Sequence, residues 1–320
     1  MSTTEQHPSP SSSPSPARTS RLRTVAVAVA DLIGRHTRGL TLANIAAQAG
    51  IIVTGGAVRL SSSGLGCSTW PQCEPGQFAP SFHEAMTAHR AIEFGNRTLT
   101  FVLLVVAVLM AIGVWRTRPD LKWWGLVPAL GVLGQAVVGG ITVLVELHPL
   151  VVAPHMLLSL GLVWYSVRFA LRYRGARGRI GVNLAPERWV SAGLLVVLLV
   201  LGALTTGAGP HSGDAEATER LALDPALIAR AHAMTVWAFV ALLAWIGWQI
   251  RRDRSAGERD EARLAYWVLV GVTLGQGLIG YVQYFTGLPA LIVGFHLLGA
   301  AVLTAAHSAF FLLDKRETAA

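Results

Sequence analysis

The sequence predicts an all-α integral membrane protein with eight transmembrane helices, arranged as two tandem four-helix bundles of the same orientation. Three observations lead to this fold class: few charged residues, apolar stretches of membrane-spanning length, and an internal repeat. Of the 320 residues, 52% are hydrophobic and only 14% are charged. A soluble domain carries about 25% charged residues. The net charge of +8 is spread over short segments between apolar stretches, so we expect no nucleic-acid partner.

Apolar stretches long enough to cross a membrane recur along the chain. A spanning helix needs about 20 largely apolar residues. Residues 264–313 contain no Asp, Glu, Lys or Arg, which leaves room for two spans separated by a turn at Gly287-Leu288-Pro289. The other six spans are predicted at about 40–58, 98–115, 123–145, 149–167, 189–209 and 231–250.

The predicted spans divide the chain into five segments. The first is a Ser/Pro-rich tail that is expected to be disordered, followed by an apolar stretch, Thr24 to Gly34, that is expected to form an interfacial helix. The segments are the tail with this helix at 1–38, a first four-helix half at 39–172, a linker at 173–188, a second four-helix half at 189–313, and a second tail at 314–320.

The basic residues predict the orientation in the membrane. With eight spans both termini lie on one side, and 21 of the 26 Lys and Arg residues fall on that side. Loops rich in Lys and Arg stay in the cytoplasm. The sequence therefore predicts a multi-pass protein of the plasma membrane with cytoplasmic termini.

Two separate features repeat at one spacing along the chain. The stretch GQAVVG at 134–139 resembles GQGLIG at 275–280, and the same offset relates His155 to His296. This indicates a parallel duplication of a four-helix unit. When the second helix of each half is aligned, Asn96 lies opposite His232, so the two halves are related but chemically unequal.

Four of these polar residues are predicted at similar depth. Asn96, His155, His232 and His296 all lie within about two turns of the outer end of their helices. Ionisable residues inside membrane spans are functional candidates, and two imidazoles from parallel helices suit axial ligation of haem iron. A hydrogen-bonded packing role is the alternative, and it is the one expected for the deeper His307. Propionates of a haem can pair with arginines near the outer surface: Arg90, Arg97 or Arg230.

The two cysteines of the chain, Cys67 and Cys73, both fall in the first outer loop. An exterior loop faces an oxidising compartment, so a disulfide is expected. The sequence does not separate a structural disulfide from a redox-active one.

Several motifs resemble those of the haem A synthase family, in an actinobacterial-like form. They are TGGAVRLSSSGLGCSTWPQC at 54–73, IEFGNRTLT at 92–100 and GQAVVGG at 134–140, together with the histidines of the last helices. The resemblance implies oxidation of the C8 methyl of haem O to a formyl, which gives haem A for terminal oxidases. It also implies a resident haem b on His232 and His296, a substrate haem on His155, and a catalytic Glu93.

One position departs from the family pattern, because Asn96 stands where the motif has a histidine. Asparagine is a poor iron ligand, so we expect a five-coordinate substrate haem on His155, with the open position near Glu93 and Asn96. An ion pair with Arg90 or Arg97 is the alternative role for Glu93.

The partners implied are the lipid bilayer, haem O synthase and an electron donor, and an oligomer is allowed. The competing function is a b-type membrane cytochrome that transfers electrons, for example with a quinone, without modifying haem.

Overall fold

The computed structural model describes residues 16–80, 88–176, 183–214, 217, 219–252 and 261–313. The expected disordered segment before residue 16, the middle of the linker and the second tail lie outside these ranges. Within them the chain forms nine α-helices: α1 Pro16–Arg35, α2 Thr37–Leu60, α3 Ala88–Thr117, α4 Lys122–Leu144, α5 Pro149–Tyr173, α6 Ala185–Ala208, α7 Pro225–Arg252, α8 Glu261–Phe285 and α9 Ala290–Leu313.

Helices α2 to α9 are each long and apolar enough to cross a membrane. They coincide with the eight predicted spans, and the predicted fold class is confirmed. Two helices begin earlier than expected, α3 at Ala88 and α7 at Pro225. The first turns of α3 carry Glu93 and Arg97, which lie before the uncharged stretch that begins at residue 98. The helix tolerates these charges because the two side chains pair with each other one turn apart.

Helix α1 precedes the first span and contains the whole stretch predicted as an interfacial helix. It packs against α3, and Nε of Arg116 donates a hydrogen bond to Oδ1 of Asp31 at 2.5 Å. This hydrogen bond holds the pKa of the Asp31 carboxyl below its ordinary value. Both side chains are well exposed, so the ion pair orients α1 rather than contributing much stability.

The helix contacts repeat in the two halves. In the first half α2 packs on α3, α3 on α4, α4 on α5 and α2 on α5, and the same four pairings recur among α6 to α9. Between the halves, α5 packs on its repeat counterpart α9. In addition, α2 packs on α9, and the equivalent contact in the other direction is that of α6 with α5. The buried positions of α3 also recur in α7 at one constant offset, which relates Leu103 to Phe239 and Val114 to Ile250. The duplication read from two short motifs therefore extends through the whole packing.

The connections after α2, α4, α6 and α8 meet at one end of the bundle, which we call the loop end. The backbone N–H of Gly64 donates to the carbonyl of Gly213 at 2.8 Å, and Nε2 of His211 donates to the carbonyl of Leu288 at 3.1 Å. Loops from both halves thus close over the same region of the molecule.

In the interior away from the loop end, the two halves have matching polar pairs. Nδ2 of Asn44 donates to Oγ of Ser166 at 3.0 Å. His307, the repeat counterpart of Ser166, contacts Oγ of Ser191 through Nε2 at 3.1 Å. Nδ1 of His307 accepts from Nε1 of Trp164 at 3.3 Å, so Nε2 is the protonated nitrogen. His307 is fully buried and hydrogen-bonded, as expected for a packing residue.

Candidate functional site

A large cavity of about 1020 Å³ lies between the two halves beneath the loop end. This is at the upper end of the range for small-molecule and cofactor sites, which is about 300–1,000 Å³. Of the residues predicted to bind or transform a ligand, all but Arg90 line this cavity, so the fold brings together groups from helices of both halves. These residues are Glu93, Asn96, Arg97, His155, Arg230, His232 and His296.

The histidine pair of the second half forms the most regular part of the site. The ring centres of His232 and His296 are 6.5 Å apart, with an interplanar angle of 72°. Two imidazoles that ligate one metal ion from opposite sides have ring centres roughly 6 Å apart, since each metal–nitrogen bond is about 2 Å and each nitrogen lies roughly 1 Å from its ring centre. The spacing therefore fits axial ligation of one iron.

The orientation of His232 is set by its backbone surroundings. Its Nδ1 donates a hydrogen bond to the carbonyl of Leu198 in α6 at 3.0 Å. That bond fixes the tautomer and leaves Nε2 as the ligating nitrogen, which is the usual arrangement for a metal-bound histidine. The geometry of this half thus suits a permanently bound haem.

Each of the three cavity histidines packs against a glycine of the neighbouring helix. A Cβ atom at Gly202 would lie 3.3 Å from Cε1 of His232, and a Cβ atom at Gly280 would lie 3.3 Å from Cε1 of His296. In the first half the matching distance from Gly139 to Cε1 of His155 is 3.2 Å. The absence of a side chain at these glycines makes room for the imidazole rings.

Two glutamines support the repeat-related histidines in the same way. Nε2 of Gln135 donates to the carbonyl of His155 at 3.0 Å, and Nε2 of Gln276 donates to the carbonyl of His296 at 2.8 Å. These glutamines belong to the repeated GQxxxG stretch, for which the sequence suggested a duplication and a family resemblance but no contact with the histidines. A polar residue within an apolar span was the available signal for this role.

The first half has one imidazole where the second half has two. Asn96 stands in place of a second histidine, and its Oδ1 accepts a hydrogen bond from Oγ1 of Thr54 at 2.7 Å. No atom lies within 4 Å of a Cβ built at Gly55, in the part of the chain that the structure describes. The wall of the cavity at Asn96 therefore carries no strong iron ligand, and the glycine beside Thr54 leaves space for one.

Glu93 is buried and fully paired at the edge of this half. It is only 4% exposed, its Oε2 accepts from the backbone N–H of Cys67 at 2.7 Å, and its Oε1 accepts from Nε of Arg97 at 3.1 Å. Of the two arginines considered as ion-pair partners, Arg97 is the one found. Arg90 forms its ion pair with Glu74 at 2.7 Å instead.

The cavity arginines differ in how much of their hydrogen-bonding capacity is used. Arg97 also donates to the carbonyl of Thr69 at 2.8 Å, so it holds the first loop as well as Glu93. Arg230 lines the cavity near the loop end. Arg59, which the sequence analysis did not single out, also lines the cavity and donates to the carbonyl of Thr206 at 2.9 Å, which links the end of α2 to the end of α6.

The first loop covers the cavity on the side of the first half. Cys67 and Cys73 form a disulfide, as predicted, and both are fully buried. Between them, Trp70 and Pro71 line the cavity, and the Trp70 ring packs directly on Gly140. The loop thus forms part of the wall of the site.

Comparison with known proteins gives the family. The pattern of the COX15-CtaA family, described as cytochrome oxidase assembly protein, matches residues 38–308. The chain belongs to this family. The match spans both four-helix halves, so the whole duplicated bundle is the family's unit.

Curated haem A synthases are similar to parts of the chain. The haem A synthase of Geobacillus kaustophilus is 26% identical over 159 residues, covering 48% of this chain and 47% of the relative. That of Lysinibacillus sphaericus is 31% identical, covering 39% and 42%, and that of Shewanella oneidensis is 29% identical, covering 49% and 52%. The chain therefore spans about half the length of the curated relatives it matches, or less.

Proposed function

We propose that the protein is a haem A synthase, which oxidises the C8 methyl of haem O to a formyl. The observation that carries the proposal is one cavity lined by two unequal sets of residues: a histidine pair with ring centres 6.5 Å apart in one half, and His155 and Asn96 in the other. Membership of the cytochrome oxidase assembly family and the similarity to curated haem A synthases support it.

His232 and His296 would hold a resident haem b, which supplies a one-electron relay when bound. The protein's own part is to keep the two rings at this spacing through the hydrogen bond from His232 to Leu198 and the bond from Gln276 to the backbone of His296. With both histidines used to hold the haem, this site would suit electron transfer rather than binding of a reacting molecule.

The first half would bind haem O as substrate, with His155 on one side of the porphyrin. Asn96 is held by Thr54 and leaves the opposite side open. Glu93 lies in the same part of the wall and can accept or release the protons of the reaction. Each of two successive oxidations would convert one C–H bond of the methyl to C–OH with one atom of O2, while two electrons from the expected electron donor and two protons reduce the other oxygen atom to water. The alcohol formed first would become a gem-diol, which loses water to give the formyl.

The loop end would face the outside of the plasma membrane, as the distribution of Lys and Arg predicts. Arg230 is then the better placed of the two cavity arginines predicted to pair with haem propionates, because Arg97 is already bound to Glu93 and the first loop. Haem O synthase and an electron donor are the expected partners. The similarity to an actinobacterial-like form of the family stays a prediction.

Haem analysis of wild type beside His232→Ala and His155→Ala tests the proposal. We expect the first variant to lose the resident haem b, and the second to keep haem b but form no haem A. A b-type cytochrome without synthase activity would contain only haem B in all preparations, including those from cells that make haem O. That result would overturn the proposal.

A further inference from the structure

Three polar side chains of the first half line the cavity deeper than His155, on the side away from the loop end. Ser159 is one turn of α5 beyond His155, about 6 Å along the helix. Nε2 of Gln135 donates to Oγ of Ser159 at 2.5 Å. Gln48 of α2, only 2% exposed, lines the same cavity. We refer to Gln48, Gln135 and Ser159 as the polar floor.

The polar floor has unused hydrogen-bonding capacity. Within the described part of the chain, Nε2 of Gln48 and Oε1 of Gln135 are buried without a hydrogen-bond partner. Buried polar groups are nearly always paired, and leaving them unpaired is costly. One group is a donor and the other an acceptor, and a hydroxyl group is able to satisfy both at once.

The second half carries apolar residues at two of the three equivalent positions. Asn44 and Ser191 make the matching polar contacts to Ser166 and His307, and they set the register between α2 and α6. In that register Gln48 corresponds to Leu195, which belongs to the apolar core of the second half.

The other two members of the polar floor follow the offset that relates His155 to His296. At that offset Ser159 corresponds to Ala300, so the hydroxyl is absent from the second half. Gln135 keeps its counterpart, Gln276, whose Oε1 is likewise buried without a hydrogen-bond partner among the described residues. What the first half alone has is the amide of Gln48 and the hydroxyl of Ser159.

We propose that the polar floor recognises the hydroxyl group on the side chain that distinguishes haem O from haem b. Haem O carries a hydroxyalkyl chain where haem b has a vinyl group. The polar floor in the first half and the apolar residues in the second half would then direct haem O to His155 and haem b to the pair His232 and His296. This inference rests on the proposed function and deepens it, because it names the residues that separate substrate from cofactor.

The position of the polar floor agrees with the expected placement of the porphyrin. Arg59, near the end of α2, and Arg230, near the start of α7, both line the cavity toward the loop end and attract propionates to that end in either half. The edge of the porphyrin across the ring from the propionates then lies toward the polar floor. The hydroxyalkyl group of haem O is attached on that opposite edge.

The test uses two iron porphyrins that differ in the group of interest. Haematohaem carries hydroxyethyl groups where mesohaem carries ethyl groups. Holoenzyme with its resident haem b, purified from cells that make no haem O, is titrated with each, and binding that is lost in His155→Ala is assigned to the first half. We expect wild type to bind haematohaem roughly tenfold or more tightly than mesohaem, because mesohaem leaves the floor groups unpaired.

Gln48→Leu and Ser159→Ala place the residues of the second half in the first half. We expect each to reduce the preference for haematohaem to about threefold or less, and the double variant to abolish it. Thr100→Val is the matched control, since it also exchanges a polar cavity residue for its second-half counterpart, Val236. The hydroxyl of Thr100 already donates to the carbonyl of Asn96 at 3.3 Å, so this variant should keep the preference.

The outcomes separate the inference from the proposed function. If neither porphyrin binds wild type in a His155-dependent way, the substrate site itself is wrong and the inference falls with it. If both bind equally well, water satisfies the polar floor and the inference alone is wrong. A preference that survives in the double variant, with the absorption spectrum of the resident haem unchanged, would also overturn it.

Discussion

The hydroxyl of Thr54 donates a hydrogen bond to Oδ1 of Asn96 at 2.7 Å. This bond holds the amide at the position where the second half has His232. The glycine beside Thr54, Gly55, corresponds in the register of α2 and α6 to Gly202, which packs on the His232 ring. The first half therefore keeps the glycine that makes room for an imidazole while carrying an asparagine in its place.

Asn96→His should supply the missing ligand. We expect an iron porphyrin in the first half to change from five-coordinate to six-coordinate and low-spin, as measured by electron paramagnetic resonance and absorption spectroscopy. Haem A formation should fall by about tenfold or more, because the new ligand blocks the open position, and tenfold corresponds to about 1.4 kcal/mol. Asn96→Ala is the control, since it removes the bond to Thr54 without adding a ligand. Identical spin states in the two variants would contradict the prediction.

Glu93→Gln should separate the charge of this carboxylate from its shape. The amide keeps an oxygen for the N–H of Cys67 but neither accepts a proton nor pairs fully with Arg97. We expect haem A formation to fall by about 10²–10⁴-fold, the range for a lost general acid or base, while the spectrum of the resident haem is retained. The measurement is the rate of conversion of haem O in reconstituted protein.

Glu74→Gln is the matched control for Glu93. Glu74 also pairs with an arginine, Arg90, but it does not line the cavity, so its variant should convert haem O at close to the wild-type rate. If both variants have wild-type rates, Glu93 serves only to attach the loop through Cys67 and Arg97.

The sequence was sufficient to predict the eight spans because each is an uncharged stretch of adequate length. The starts of helices were harder to predict where charged residues are compensated. Glu93 and Arg97 lie inside α3, where they pair with each other and where Cys67 and Thr69 of the first loop complete their hydrogen bonds. A local pattern contains no information about that loop, so the predicted span began at residue 98 instead of 88.

The residues of the candidate site were likewise only partly predictable from the sequence. His155, His232 and His296 were predicted because the repeat relates two of them to each other and aligns the third with Asn96. Gln48 and Arg59 were not, because their surroundings come from helices that are distant in the chain. The contact of Arg59 with Thr206 joins α2 to α6, and only the packing of α2 against the second half makes it visible.

Gly280→Ala should loosen the resident haem. The added Cβ would lie 3.3 Å from Cε1 of His296, so the ring must shift by a few tenths of an ångström to accommodate it. Overpacking of this kind costs roughly 1–3 kcal/mol, so we expect haem b to transfer to an excess of a soluble apo-acceptor about tenfold faster or more. Gly275→Ala, on the same helix, has no atom within 4 Å of the new Cβ among the described residues. It should leave the transfer rate unchanged, and equal acceleration in both variants would contradict the role of Gly280.

Replacing both cysteines with serine should affect the first loop and leave the resident haem in place. The disulfide joins residues only six positions apart, and closing so small a loop contributes about 2 kcal/mol by chain entropy. Hydrogen exchange should therefore become faster at the amide of position 67, which is protected by its bond to Glu93, while His232 and His296 remain fixed by α6 and by Gln276. The conversion of haem O should fall in proportion to the increase in amide exchange, since opening of the loop removes Trp70 from the wall of the cavity.

A redox-active disulfide would give a different result. Loss of the cysteines would then stop the conversion of haem O even if amide exchange at position 67 stayed at the wild-type rate. Measuring exchange and conversion on the same preparations decides between the two roles.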